Sequence, residues 1–182
     1  RLTRCGRYRD AQPLFSQEKQ LGFIAAHFDR GQFFIVQLDN HGNKIKIVFT
    51  FPLYQRLTGL AVDLQGEWIY ATVQVGRDFQ LKKIQRMTGK EQILLADEAV
   101  KYSPRFSSHH NAVDFVADDD FIFRLWRYDL AAGEKKLLTQ SDLSIISLAG
   151  SDENSATVLA LSPDPSRDQD LYHFSISSMA DK

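Results

Sequence analysis

Cysteine is nearly missing from this 182-residue chain: Cys5 stands alone. That excludes an intramolecular disulfide and any zinc site built on cysteines. A lone thiol fits the cytosol, and it fits equally a periplasmic domain that needs no disulfide. No run of about 18 apolar residues occurs, so no membrane insertion by this segment is expected. Charge of one sign is not in excess either. The 22 Lys and Arg against 23 Asp and Glu leave a net charge of −1, which gives no electrostatic reason for direct nucleic acid contact. Helical periodicity is weak throughout. Its one competitor is Lys90 to Lys101, where Ile93, Leu94, Leu95 and Ala96 could share a helix face. The chain opens at Arg1 with neither an initiator Met nor a signal peptide, and is therefore read as an excised or processed piece of a longer protein.

What is present points to β-structure. Hydrophobic residues make up 43% of the chain and aromatic residues 12%, with 13 Phe and 6 Tyr. Aromatic side chains pack well on a pleated surface, and this content supports a folded core. Two independent marker sets recur. Phe15-Ser16, Val62-Asp63, Phe106-Ser107 and Gly150-Ser151 lead into apolar runs at spacings of 47, 44 and 44. Asn40-His41-Gly42-Asn43, Met87-Thr88-Gly89-Lys90 and Ala131-Ala132-Gly133-Glu134 read as turns, and their glycines step by 47 and 44. Two sets with the same steps define a repeat, and a period near 44 falls in the range of propeller blades.

Each period holds short strand-like runs. Leu21–Ala26, Trp68–Val73, Ala112–Val116 and Thr157–Leu161 form one series. Phe33–Leu38, Phe79–Ile84, Phe123–Tyr128 and Asp170–Ile176 form the next. Between them lie polar hairpins at Asp29-Arg30-Gly31, Gly76-Arg77-Asp78, Asp118-Asp119-Asp120 and Pro163 to Asp168. The repeat places Lys90 to Lys101 on an outer strand rather than a helix. The fold class read from this pattern is all-β, a β-propeller of four-stranded antiparallel blades. It is taken as a single domain, 1–182, with blade units at about 8–50, 54–97, 99–141 and 142–182. Arg1-Leu2-Thr3 resembles Lys136-Leu137-Leu138-Thr139, so residues 1–5 are read as an orphan outer strand. One more step of 44 puts the next turn at Ser177, with only five residues beyond it. The chain is then either a closed four-bladed ring completed by residues 1–5 or a fragment of a larger ring.

The segment Pro13-Leu14-Phe15-Ser16-Gln17-Glu18-Lys19-Gln20-Leu21-Gly22-Phe23-Ile24-Ala25 resembles the opening of TolB-type propeller repeats. Ser103-Pro104-Arg105-Phe106-Ser107 begins in the same way. Leu38-Asp39 and Tyr128-Asp129-Leu130, each followed by a glycine, are similar to the family's third-strand ending. The family's Pro-Asp-Gly turn is replaced by Gln-Glu-Lys in the first unit and by Ser-His-His-Asn in the third. The second unit keeps only Asp63-Leu64-Gln65-Gly66, and the fourth is barely similar. Such propellers occur in TolB, in prolyl-oligopeptidase-type peptidases, and in the periplasmic sensor part of CadC-like membrane-bound winged-helix regulators. The resemblance implies a non-catalytic binding or sensing propeller in the periplasm, as the extracytoplasmic part of a membrane-bound transcriptional regulator. An envelope scaffold or the gating propeller of a peptidase is the alternative.

Chemistry-bearing motifs are few. His109-His110 with Asp114 invites a metal, yet adjacent residues of an extended chain point to opposite sides, and an exposed turn is the better reading. Asp118-Asp119-Asp120 lacks the spaced ligand pattern of a calcium loop. No Gly-x-Ser-x-Gly, Gly-x-Gly-x-x-Gly or P-loop occurs. A pair of carboxylates meeting in a channel is not excluded by sequence, but nothing positions one. No enzyme activity, metal or cofactor is expected. A recurring pair is more informative: Tyr8 and Arg9, Tyr54 and Arg56, and Tyr102 and Arg105 precede the inner strands of successive units. Tyr and Arg are enriched in binding hot spots. These six are the candidate binding residues, facing a protein or small ligand at the channel mouth. A half-ring would also pair with a second copy as a homodimer.

Overall fold

A computed structural model describes residues 8–16, 19–139, 143–152, 154–162, 166 and 168–176. The chain divides into two compact units, Arg1–Glu98 and Ala99–Lys182.

The first unit holds two antiparallel sheets. One runs β1 (Tyr8–Ser16), β2 (Lys19–Asp29), β3 (Gln32–Leu38) and β4 (Lys44–Thr50), in that order; the other runs β5 (Gln55–Val62), β6 (Trp68–Val75), β7 (Asp78–Gln85) and β8 (Glu91–Asp97). Leu14, Ile24, Ala26, Ile35 and Phe51 pack with Leu57, Leu60, Ile69, Ala71, Val73 and Ile84 in one core that joins both sheets. On the other face of the first sheet, Ala25, Val36 and Leu38 are buried with Tyr8, Phe23 and Phe34 against them. Burial on both faces is why the central strands read as continuous apolar runs rather than strict alternations. The outer strands mix polar and apolar exposure: Lys44, Ile45 and Ile47 on β4 and Glu91, Gln92 and Ile93 on β8 are exposed, and the charged residues among them disfavour edge pairing with other chains.

The second unit repeats the plan. Strands β9 (Lys101–Ser107), β10 (Ala112–Asp119), β11 (Ile122–Asp129) and β12 (Lys135–Leu137) form one sheet; β13 (Ile145–Ser151), β14 (Ser155–Leu161) and β15 (Gln169–Ser175) form another. Val116 and Leu125 share a core with Ile145, Leu148, Ala156, Val158 and Ala160.

The repeat and the strand series are thus present. Residues 91–97 form a strand and not a helix. One boundary is corrected. Asp118 and Asp119 were expected in a hairpin tip, but they belong to β10, and the two-residue turn is Asp120-Phe121. The cross-strand pair Phe115–Trp126 continues in register through Asp118–Phe123 and Asp119–Ile122, so pairing carries the acidic residues into the ladder. The orphan strand read at residues 1–5 and the turn read at Ser177 lie outside the described residues.

Local chemistry explains the markers. Gly42, Gly89 and Gly133 have φ of 82°, 70° and 74°, and each donates its N–H back to the residue that closes the third strand: Asp39, Gln85 and Asp129. The Asp39 carboxylate accepts the N–H groups of His41 and Asn43 at 2.8 Å and the Asn43 side-chain amide at 2.9 Å. Asp129 likewise accepts from Ala131 and Ala132. These donors hold both carboxyls below their usual range, the Asn43 amide leading for Asp39 and the Ala132 N–H for Asp129. A third regularity was not visible in sequence. Every first strand carries a register shift, between Arg9 and Gln12, Leu57 and Gly59, Tyr102 and Arg105, and Ile145 and Ser147. These bulges re-aim side chains at the same place in all four sheets.

Candidate binding surface

The first unit gathers four of the six candidate residues at one end of its strands, where the β2–β3 hairpin meets the β4–β5 connection. Phe51 is fully buried and closes that connection onto the first sheet. Its N–H donates to the Phe33 carbonyl at 3.0 Å, and the Gln32 side chain donates to the Phe51 carbonyl at 2.8 Å. A tight turn follows, with the Gln55 N–H donating to the Pro52 carbonyl. Anchored on both sides, the turn presents Leu53 and Tyr54, each 71% exposed. A buried Phe and three hydrogen bonds thus hold this apolar pair in solvent.

Arg9 stands beside it. Its guanidinium donates to the Leu57 carbonyl, lies 5.1 Å from the Phe33 ring centroid, and is 3.7 Å from the Asp10 carboxylate. It therefore ties β1 to β5 while leaving about half its side chain exposed. Phe33 also pairs with the half-exposed Phe28 at 4.6 Å between centroids. Arg56, on β5 one residue before Leu57, and Arg30, at the β2–β3 turn, are exposed. Tyr8 is half-buried with its ring 4.9 Å from His27, and packs against the core of the first sheet.

The second unit treats its pair differently. Tyr102 is half-buried, donates its hydroxyl to the Ile145 carbonyl at 2.8 Å, and lies against Phe123. Burial, then the nearby Asp118 charge, pushes its phenol up to about 12. Arg105 is half-buried on β9, opposite Asp114 on β10. Tyr102 thus joins one sheet to the next, and the exposed surface lies with Arg9, Tyr54 and Arg56.

The metal-like motifs resolve into structure. His109 and His110 lie in the β9–β10 turn, whereas Asp114 is fully buried and takes a two-pronged ion pair from Arg127 at 2.6 and 2.9 Å. Among the described residues no group of three or more His, Cys, Asp or Glu could hold a metal, and no helix is long and apolar enough to cross a membrane.

One exposed residue escaped the sequence reading. Phe121 is 94% exposed with φ of 67°, following Asp120 with φ of 51°. It fills the second turn position that Gly31 fills in the first sheet. The signal in sequence was an aromatic at a hairpin position where glycine is the norm.

Neither a family model nor a curated protein matches the chain. Solved structures do. TolB from Acinetobacter baumannii superposes with a TM-score of 0.73 at 13% identity, over 95% of this chain and 42% of that one. A putative TolB from Agrobacterium tumefaciens gives 0.73 at 13%, over 93% and 63%. A puromycin-hydrolyzing peptidase from Mycobacterium tuberculosis gives 0.69 at 10%, over 94% and 27%. The chain therefore spans about two-fifths of the first protein's length and just under two-thirds of the second's. At such identities the likeness concerns fold alone: an all-β chain whose four antiparallel sheets match the propeller blades of TolB-like structures.

Proposed function

We propose that the chain is a non-catalytic binding propeller segment that takes a protein or peptide on the surface formed by Arg9, Phe33, Leu53, Tyr54 and Arg56. The observation that supports it is the turn at Leu53-Tyr54, anchored by Phe51 yet exposing two large apolar side chains between arginines. Arg and Tyr around an apolar centre are the composition of binding hot spots. The biological role proposed is sensing, as the periplasmic part of a membrane-bound winged-helix transcriptional regulator. Ligand binding at the surface would change assembly, and the change would pass through a membrane segment to the DNA-binding part. The full reading frame of the parent gene tests this. A winged helix followed by one membrane span upstream supports it; a signal peptide with no such regulator overturns the sensing role in favour of an envelope scaffold.

A second reading has its own support. The similarity to the puromycin-hydrolyzing peptidase makes a peptidase-gating propeller the alternative, and a downstream α/β-hydrolase in the same frame would establish it.

A further inference from the structure

Phe121 has no packing role that accounts for it. It is nearly fully exposed, and its backbone sits in the left-handed region that a bulky L-residue adopts only at a cost. A strained, bare aromatic at the tip of a two-residue hairpin is a feature that points outward for a reason. Asp120 precedes it in the turn and is exposed. The tip therefore combines one large ring with a carboxylate.

The first unit offers the opposite surface. Leu53 and Tyr54 are each 71% exposed and Phe28 is 39% exposed. Around them stand the guanidiniums of Arg9, Arg30 and Arg56, against the carboxylates of Asp10 and Asp29. We infer that copies of this chain associate head to tail, the Asp120-Phe121 tip of one seated on the Arg9–Tyr54–Arg56 surface of the next. The inference rests on the binding surface proposed above and names a second copy as an occupant. Charge complementarity sets the orientation, and the apolar contact of Phe121 with Leu53 and Tyr54 supplies the attraction.

Two consequences follow. The patches differ, so a contact made in one direction leaves an unused tip and an unused surface on the end copies, and growth continues beyond two copies. A two-residue tip on one turn is also a small contact, so it forms in concentrated solution and weakens in salt.

Sedimentation velocity of the purified chain across a wide concentration range reads both. The expected result is a mass that rises with concentration past the dimer, with weaker association at about 0.5 M salt as the charge contribution is screened. Phe121→Gly makes the turn Asp-Gly, a favoured hairpin sequence, so the fold is kept while the contact is lost; this variant should remain monomeric. Arg56→Glu should weaken association at least tenfold, and Arg56→Glu combined with Asp120→Arg should restore it. A wild type that stays monomeric, or an assembly unaffected by Phe121→Gly, overturns the inference. A photo-crosslinker at position 54 separates this from the proposed function. Adducts to a second copy belong to self-association. Adducts to a different protein without any self-association overturn this inference and leave the proposed function standing.

Discussion

Replacing Phe121 by Gly should stabilise the protein, the reverse of what removing a large apolar side chain usually does. The side chain is 94% exposed, so deleting it forfeits almost no burial. Its φ of 67° carries the left-handed penalty of an L-residue, about 1–2 kcal/mol. Glycine removes that penalty and costs about 0.5–1 kcal/mol in unfolded-chain freedom. The net gain is about 0.5–1 kcal/mol, which for a chain of this length raises Tm by about 1–4 °C. Thermal unfolding followed by circular dichroism, at protein concentrations low enough to suppress association, measures it. Phe121→Ala is the control: it loses the ring but keeps a Cβ in the left-handed region, and should gain little. A Phe121→Gly protein that melts at or below wild type refutes the reasoning, as does an alanine variant that gains equally.

Other perturbations test other parts of the structure. Asp114→Asn leaves Arg127 buried without its counter-charge; unfolding by denaturant should show a loss of about 3–5 kcal/mol, with much of it recovered in an apolar double replacement. Gly22→Ala places a Cβ 2.0 Å from the Leu38 carbonyl oxygen at φ +135°, and should cost at least about 2 kcal/mol in the same assay. Asp39, Asp129 and Asp152 all titrate below their usual value because turn donors favour the carboxylate, the leading ones being the Asn43 amide, the Ala132 N–H and the Ser155 hydroxyl. A depressed folded-state value gives stability that is present above the unfolded pKa near 3.8 and is lost as pH falls through the folded values. Stability should therefore drop below about pH 4, with a shallower drop in the Asp39→Asn and Asp129→Asn double variant.

Periodicity made the blades readable because each demands the same turn chemistry. A glycine with positive φ and an aspartate that accepts the turn's N–H groups recur for a local reason, so Gly42 with Asp39 and Gly133 with Asp129 announce their hairpins from sequence alone. Gln85 departs from this and still works, since Thr88 donates to its side-chain oxygen at 2.6 Å. The hairpin tip at Asp118–Asp120 was misplaced because three consecutive acids suggest solvent, whereas cross-strand register decides where pairing stops. The Tyr and Arg pairs were visible as a recurrence, but their fates depend on tertiary neighbours. Tyr102 is half-buried because Ile145 and Phe123 lie beside it; Tyr54 is exposed because Phe51 is buried first and turns the chain outward. The first-strand bulges at Asp10, Thr58, Ser103 and Ile146 leave no compositional mark, being defined only by their partners on the next strand.

The surface itself is tested most directly by placing a photoreactive phenylalanine analogue at position 54 in cells that make the full parent protein. Met87 serves as control, since it is 67% exposed at a β7–β8 turn, the opposite end of the strands. The account predicts a discrete protein or peptide adduct from position 54 that weakens when Arg9 and Arg56 are replaced by Ala and is not seen from position 87. Equal labelling from both positions, or an adduct at 54 indifferent to the two arginines, would contradict it.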